Sequence, residues 1–145
     1  MMYGQTITLF NFHGGKWYTT VFPDTDVSTV KSGSASQHGQ TNADTVEIII
    51  HVRRSGAEIL QIGDEGKRYT GAKAFAALES PNGWFTFTPE VDFIAVGDHA
   101  SAEPLSDDEY EEGLYHEMNR TQDGVFMITS AALYTLLPHF EIGGR

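Results

Sequence analysis

The nine residues Thr45–Arg53, TVEIIIHVR, constrain the fold more than any other stretch of this chain. Side chains alternate along an extended strand, so Val46, Ile48, Ile50 and Val52 share one face while Glu47, Ile49, His51 and Arg53 share the other. That pattern belongs to a sheet with one buried and one half-exposed side. Similar runs recur. Thr6–Phe12 (TITLFNF) and Lys16–Phe22 (KWYTTVF) flank HGG and predict a hairpin turning at His13, Gly14 and Gly15. Trp84–Phe87 and Val91–Val96 predict a second hairpin, and Gly124–Thr129 (GVFMIT) another strand. The end of the sequence, PHFEIGGR, carries an apolar alternation (Phe140, Ile142) almost to its last residue, so His139–Ile142 also reads as a strand.

Two segments break the β pattern. Residues 24–44 (DTDVSTVKSGSASQHGQTNAD) are rich in Ser, Thr, Gly and Asp and read as a long flexible loop, a connection unusual enough inside one domain to suggest a functional role. Residues 105–120 read as a helix. Ser106 and Glu109 have capping-box spacing, Asp107 and Asp108 suit a first turn, and Leu114, Tyr115 and Met118 make an apolar stripe, with Gly113 weakening the middle. The whole predicts an all-β fold, a small β-barrel or sandwich with one short helix and one long loop. At 145 residues it fits a single domain over 1–145.

Composition narrows the function classes. Hydrophobic residues make up 40% and charged residues 20%, a globular balance. No apolar run reaches membrane-spanning length, and MMYGQTITLF lacks the basic start and cleavage site of a signal peptide and reads as a strand. The absence of cysteine excludes disulfides, thiolate metal sites and a cysteine nucleophile, and it fits a reducing cytoplasm. The formal charge of −11 argues against nucleic-acid binding, which draws its affinity from neutralised phosphates.

No motif for catalysis or phosphate binding stands out: there is no G-x-S-x-G, H-E-x-x-H, P-loop or G-x-G-x-x-G. Six histidines raise the question of a metal, and Glu112 and His116 sit four apart on the predicted helix. A metal site needs several ligands on rigid elements with supporting partners, and one such pair on an acidic helix reads better as a solvated face. The carboxylates from Asp98 to Glu117 read the same way. Gly14–Gly15 and Gly143–Gly144 lack a phosphate-loop context and read as turn and tail. The numerous aromatics read as core and cross-strand pairs. Arg53, Arg54, Lys67, Arg68 and Lys73 form a basic cluster in an otherwise acidic chain. It reads either as ordinary surface ion pairing or as a positive patch matched to the acidic helix of another copy.

Several segments together resemble small proteins of the head–tail joining region of long-tailed bacteriophages. The matching positions are Ile7–Asn11 in ITLFNF, Tyr69 with Lys73 and Phe75 in GKRYTGAKAFAAL, and Gly83–Phe87 with Asp92–Gly97 in GWFTFTPEVDFIAVGD. His139–Arg145 matches a tail of the form H-x-E-[VI]-G-G-[KR]. The sequence departs from that pattern at Ala72, in place of proline, at Pro89–Glu90, in place of a Gly-Asp turn, and in residues 105–120, which read as an insertion.

The resemblance implies a non-enzymatic virion protein without cofactor or metal: a β-barrel head-closure (stopper) or neck protein. Such a protein assembles as a ring of identical copies between the portal–adaptor stack and the tail terminator. Packaged DNA passes through without specific binding, consistent with an acidic wall. It is built in the host cytoplasm and resides in the virion at the head–tail interface, with no membrane partner. A tail-terminator or tail-completion ring is the near alternative. A small β-barrel ligand-binding module or metal-dependent enzyme using His51, His116 or His139 is the remaining one. The interface candidates are Val27 and Val30, three apart on the long loop, with Lys31 beside them; Arg53 and Arg54 of the basic cluster; and Phe140, Ile142 and Arg145 of the terminal strand. That strand is expected either to complete its own barrel or to add to the sheet edge of a neighbour, and the long loop to clamp the adjacent ring.

Overall fold

A computed structural model describes residues 2–30, 45–63 and 66–145. The first hairpin forms where the sequence places it. Strand β1 (Met2–His13) turns at Gly14 and Gly15, whose φ angles of 59° and 80° suit a two-residue hairpin loop. It returns as β2 (Lys16–Val30), with His13 opposite Lys16 and Ile7 opposite Phe22. Strand β2 does not stop at Phe22. It bulges near Asp24, which takes the left-handed φ of 56°, and continues through residues first read as loop to pair with β3 (Thr45–Ser55). The bulge bends β2 from one neighbour to the next, as closing a barrel requires. Residues 24–30 are therefore strand, while the rest of the expected loop lies outside the described residues, Lys31 included.

The remaining strands close the circle. Strand β10 (His139–Gly144) pairs antiparallel with β3 on one side and with β9 (Val125–Tyr134) on the other. Strand β7 (Phe93–Val96) joins β9 to β1. The order β3-β10-β9-β7-β1-β2 returns to β3, so the fold is a closed six-stranded β-barrel. Beyond Ile50, the edge of β3 that carries β2 carries β4 (Glu58–Gln61) instead, and β5 (Arg68–Tyr69) and β6 (Trp84–Phe85) extend that apron. Trp84–Phe87 and Val91–Val96 are thus not a hairpin: β6 pairs in parallel with β5, and β7 lies across the barrel between β1 and β9.

Two hydrophobic cores result. Ile7, Leu9, Phe22, Val46, Ile48, Ile50, Phe87, Phe140 and Ile142, with six others, fill the barrel. The alternation read from Thr45–Arg53 holds, with Val46, Ile48, Ile50 and Val52 buried. The second core lies outside the barrel wall, where Phe10, Trp17, Phe93, Ala95 and Val125 meet Leu114 and Met118 of a short helix.

That helix is shorter than the sequence suggests. Leu105–Ser106 is a strand (β8) beside Lys16 and Trp17, Asp107–Glu109 is one 3-10 turn, and the helix α2 spans Leu114–Thr121. Ser106 makes no capping bond. Asp107 takes that part from a distance: its carboxylate accepts from Leu114 N (2.9 Å) at the helix start and from Trp17 Nε1 (2.8 Å). Gly113, at φ 91°, makes the break. A one-turn helix, α1 (Ala72–Ala76), buries Phe75 and was not anticipated.

Candidate functional site

The interface candidates read from the sequence scatter in the barrel. Phe140 and Ile142 are 1% and 2% exposed and Val27 is 2% exposed, so all three belong to the barrel core rather than to a contact surface. Inward alternation on a paired strand leaves them no other face. Val30 ends β2, and nothing is described of its side chain. Arg145 exchanges two backbone hydrogen bonds with Met127 (2.9 and 3.0 Å) and reaches Glu90 at 3.4 Å, so the terminus is tied to its own subunit. Arg53 and Arg54 are exposed, as expected.

Gly143 and Gly144 are not a tail. A Cβ at Gly143 would collide with Ser130 Oγ, and one at Gly144 would lie 3.0 Å from Met127 O and 3.1 Å from Val46 Cγ1. The glycines let β10 sit between β9 and β3 where no side chain fits.

The basic cluster divides. Arg68 pairs with Glu58 at 3.2 Å and stacks over Trp84 at 4.1 Å. Lys67 Nζ donates to Thr19 O (2.6 Å) and to Thr20 Oγ1 (3.1 Å), and the buried Gln61 donates to Val21 O while accepting from Lys67 N. Here β2 has left β3, and two side chains do what a strand would do along the open edge. They leave a cleft of about 680 Å³ between β2, the apron and the 98–104 loop. Of its polar lining residues, Gln61 and Lys67 are engaged in closing the seam.

An apolar surface adjoins this cleft, sharing Gln61 and Gly63 with it. The turn between β9 and β10 exposes Leu136 (94%) and Leu137 (79%), with Tyr134 and Ile62 about half exposed nearby. Ile62, Leu136 and Pro138 line a shallow groove of about 640 Å³ together with Val52, Arg53 and Arg54. The sequence reading did not single out this surface, because it lies in the turn between two strands. The signal was present in two adjacent leucines next to a proline.

Beside the turn, outward-facing polar residues gather. His51 and His139 face each other across the β3–β10 ladder, their rings 6.4 Å apart, and His51 lies 3.6 Å from Asp26. His139 Nδ1 is 2.7 Å from Leu137 O and Nε2 is 3.0 Å from Glu141. Both ring nitrogens meet acceptors, which favours the protonated ring, so first the Leu137 carbonyl and then Glu141 raise its pKa above the usual 6.5. This contribution to stability is complete below the unfolded value and is lost as pH rises through the folded one. In an NMR titration His139 is expected to titrate above an unperturbed histidine, and Glu141→Gln to lower that midpoint. An unshifted midpoint in both proteins contradicts the paired geometry.

His116 lies apart, on the exposed face of α2, and Glu112 precedes the helix, so the two do not share a helical i,i+4 face. Among the described residues no three of His, Asp or Glu are placed to hold a metal, and no helix is long and apolar enough to cross a membrane.

One buried carboxylate organises the segments that carry the family resemblance. Asp92, 1% exposed, accepts from Asn11 Nδ2 (2.8 Å), Phe12 N (3.0 Å) and Thr88 N (2.9 Å), and Asn11 Nδ2 also donates to Thr86 O (2.7 Å). Burial pushes its carboxyl up to about 6, against those hydrogen bonds, which favour the ionised form. Nearby, Tyr69, Phe85, Phe87 and Phe140 form one aromatic cluster. None of Asp92's hydrogen-bonding partners lines the cleft. Asp92 ties β1 to the 86–92 segment.

A family of unknown function (DUF6751) matches the sequence over residues 2–145. Neither a curated protein nor a solved structure matches it.

Proposed function

We infer that this chain, which belongs to the family of unknown function DUF6751, is a non-enzymatic ring subunit of the head–tail connector of a long-tailed bacteriophage. Its ring closes the portal channel over packaged DNA and joins head to tail. The observation that carries the reading is that the barrel is filled by its own side chains while two adjacent leucines stand uncovered outside it. Among the described residues the barrel interior is packed with side chains, which turns the search for a working surface to the exterior, and uncovered apolar side chains on a protein exterior mark contacts with other proteins.

Two further observations support it. The resembling segments are those that converge at Asp92 and in the aromatic cluster, so they share one structural unit. The charge of −11 suits a channel wall along which DNA slides without being gripped. The partners are other copies of the chain, the portal–adaptor ring above and the tail-terminator ring below, and the place is the virion.

An amber mutation in this gene, in the phage that encodes it, tests the role. The expected particles are heads that package DNA but lose it and carry no tails, with complementation by the intact gene. Tailed, infectious particles lacking the protein would overturn the reading.

A further inference from the structure

We propose that copies of this chain join side to side through two different surfaces: the basic-rimmed apolar groove of one copy seats on the acidic flank of the next. The proposal rests on the ring reading above and names the contact that builds the ring. The groove is lined by Leu136 and Ile62 together with Arg53 and Arg54, and Leu137 stands exposed beside it on the same turn.

The receiving side is the covering of β8, the 3-10 turn and α2. There Glu103, Asp108, Glu109, Glu111 and Glu112 are exposed and make no ion pair among the described residues. No lysine or arginine occurs from residue 74 to 119, so nothing within that segment neutralises them. The half-buried rings of Tyr110 and Tyr115, packed on the outer core, give the flank an apolar complement for the leucines.

The topology sets the two surfaces apart. In the six-strand circle β3 lies opposite β7 and β10 lies opposite β1. The groove belongs to the end of β3, the end of β4 and the turn that joins β9 to β10, and the flank packs on residues of β1, β2, β7 and the first residue of β9. Complementary surfaces on opposite sides of one molecule cannot both be satisfied in a two-fold dimer. They generate head-to-tail chains, which close into rings when the rotation allows. Opposite charge fixes the register, and the like-charged flanks repel one another, which disfavours the symmetric alternative.

The absence of native cysteine gives a direct test. The full chain is made as Arg54→Cys, as Glu111→Cys and as the double variant, and each is mildly oxidised. The double variant is expected to give a ladder of multimers, an equal mixture of the single variants to give dimers, and each single variant alone to stay monomeric. Adding Leu136→Ser and Leu137→Ser to the double variant should reduce the ladder about tenfold, as loss of central apolar contacts does, without changing the melting temperature, because both leucines are exposed. Dimers from a single variant would show a symmetric contact, and no cross-linking in any combination would show that the groove takes another partner. Either result overturns the proposal. The connector role is judged separately: a ladder from a protein absent from particles defeats that role and leaves the contact standing, whereas a particle-bound protein without a ladder does the reverse.

Discussion

A chain truncated before His139 is expected to show no cooperative thermal transition by circular dichroism at any temperature where the full chain melts. Strand β10 is flanked along its whole length, with Phe140 opposite Ile50 on one side and Leu133 on the other. Removing it breaks two hydrogen-bonded ladders and opens the barrel between β3 and β9. It also removes Phe140 and Ile142 from the core, each worth about 2–3 kcal/mol of burial. A domain of this size is stable by only about 5–15 kcal/mol in total, so the combined loss exceeds what the fold can spare. Phe140→Ala isolates one part of the effect and should lower stability by about 3–5 kcal/mol in chemical denaturation, since a large cavity opens among Tyr69, Phe85 and Phe87. A truncated chain melting cooperatively within a few degrees of the full one would mean that β10 is dispensable to the monomer.

Asp92→Ala should be the most damaging single polar substitution. It strands the amides of Phe12 and Thr88, both part-buried, and half of the buried Asn11 amide. Each unsatisfied buried donor costs about 1–3 kcal/mol, so a loss of about 3 kcal/mol or more is expected, with the 86–92 segment released from β1. The wild-type group also leaves a signature in pH. Its folded pKa of about 6 lies above the ordinary 3.8, so the folded protein holds this proton more tightly than the unfolded chain does. The contribution is complete below the ordinary carboxylate value and is lost as pH rises through about 6. In Asp92→Asn this dependence between about pH 4 and 6 should vanish, although stability falls because an amide nitrogen now faces donors. Equal pH slopes in the two proteins would show that Asp92 is not the titrating group.

Much of the barrel was legible because its strands obey the simplest rule. The HGG hairpin and the alternation of Thr45–Arg53 are local patterns that the tertiary structure had only to accept. Strand 24–30 was harder. Thr25 and Val27 do alternate inward, both buried, but Asp24 and Asp26 beside them, with the Ser- and Gly-rich stretch that follows, made the segment look like loop. Its strand conformation comes from pairing with β3, whose partner residues lie 15 to 23 positions further along the chain. The helix was misplaced at its start for a similar reason. Asp107, Trp17 and Gly15 hold residues 105–109 against the first hairpin, and no capping rule contains a contact across 90 residues.

The contact surface shows the same division. Arg53 and Arg54 are visible in sequence as an excess of charge, and the acidic run as its counterpart. Whether Phe140, Ile142 or Leu136 faced outward was not legible, since an apolar residue on a strand looks alike in a core and in an interface. The sequence by itself determined the β class, the absence of thiol chemistry, the strong negative charge and the inward face of β3, because these follow from residue counts and from period-two alternation. Only the tertiary structure decided that β10 belongs inside its own barrel, that Gly143 and Gly144 are where neighbouring strands come too close for a side chain, and that the leucines of the last turn stay bare. Those outcomes depend on which strands become neighbours, and strand neighbours are chosen by the closure of the whole barrel rather than by any local run of residues.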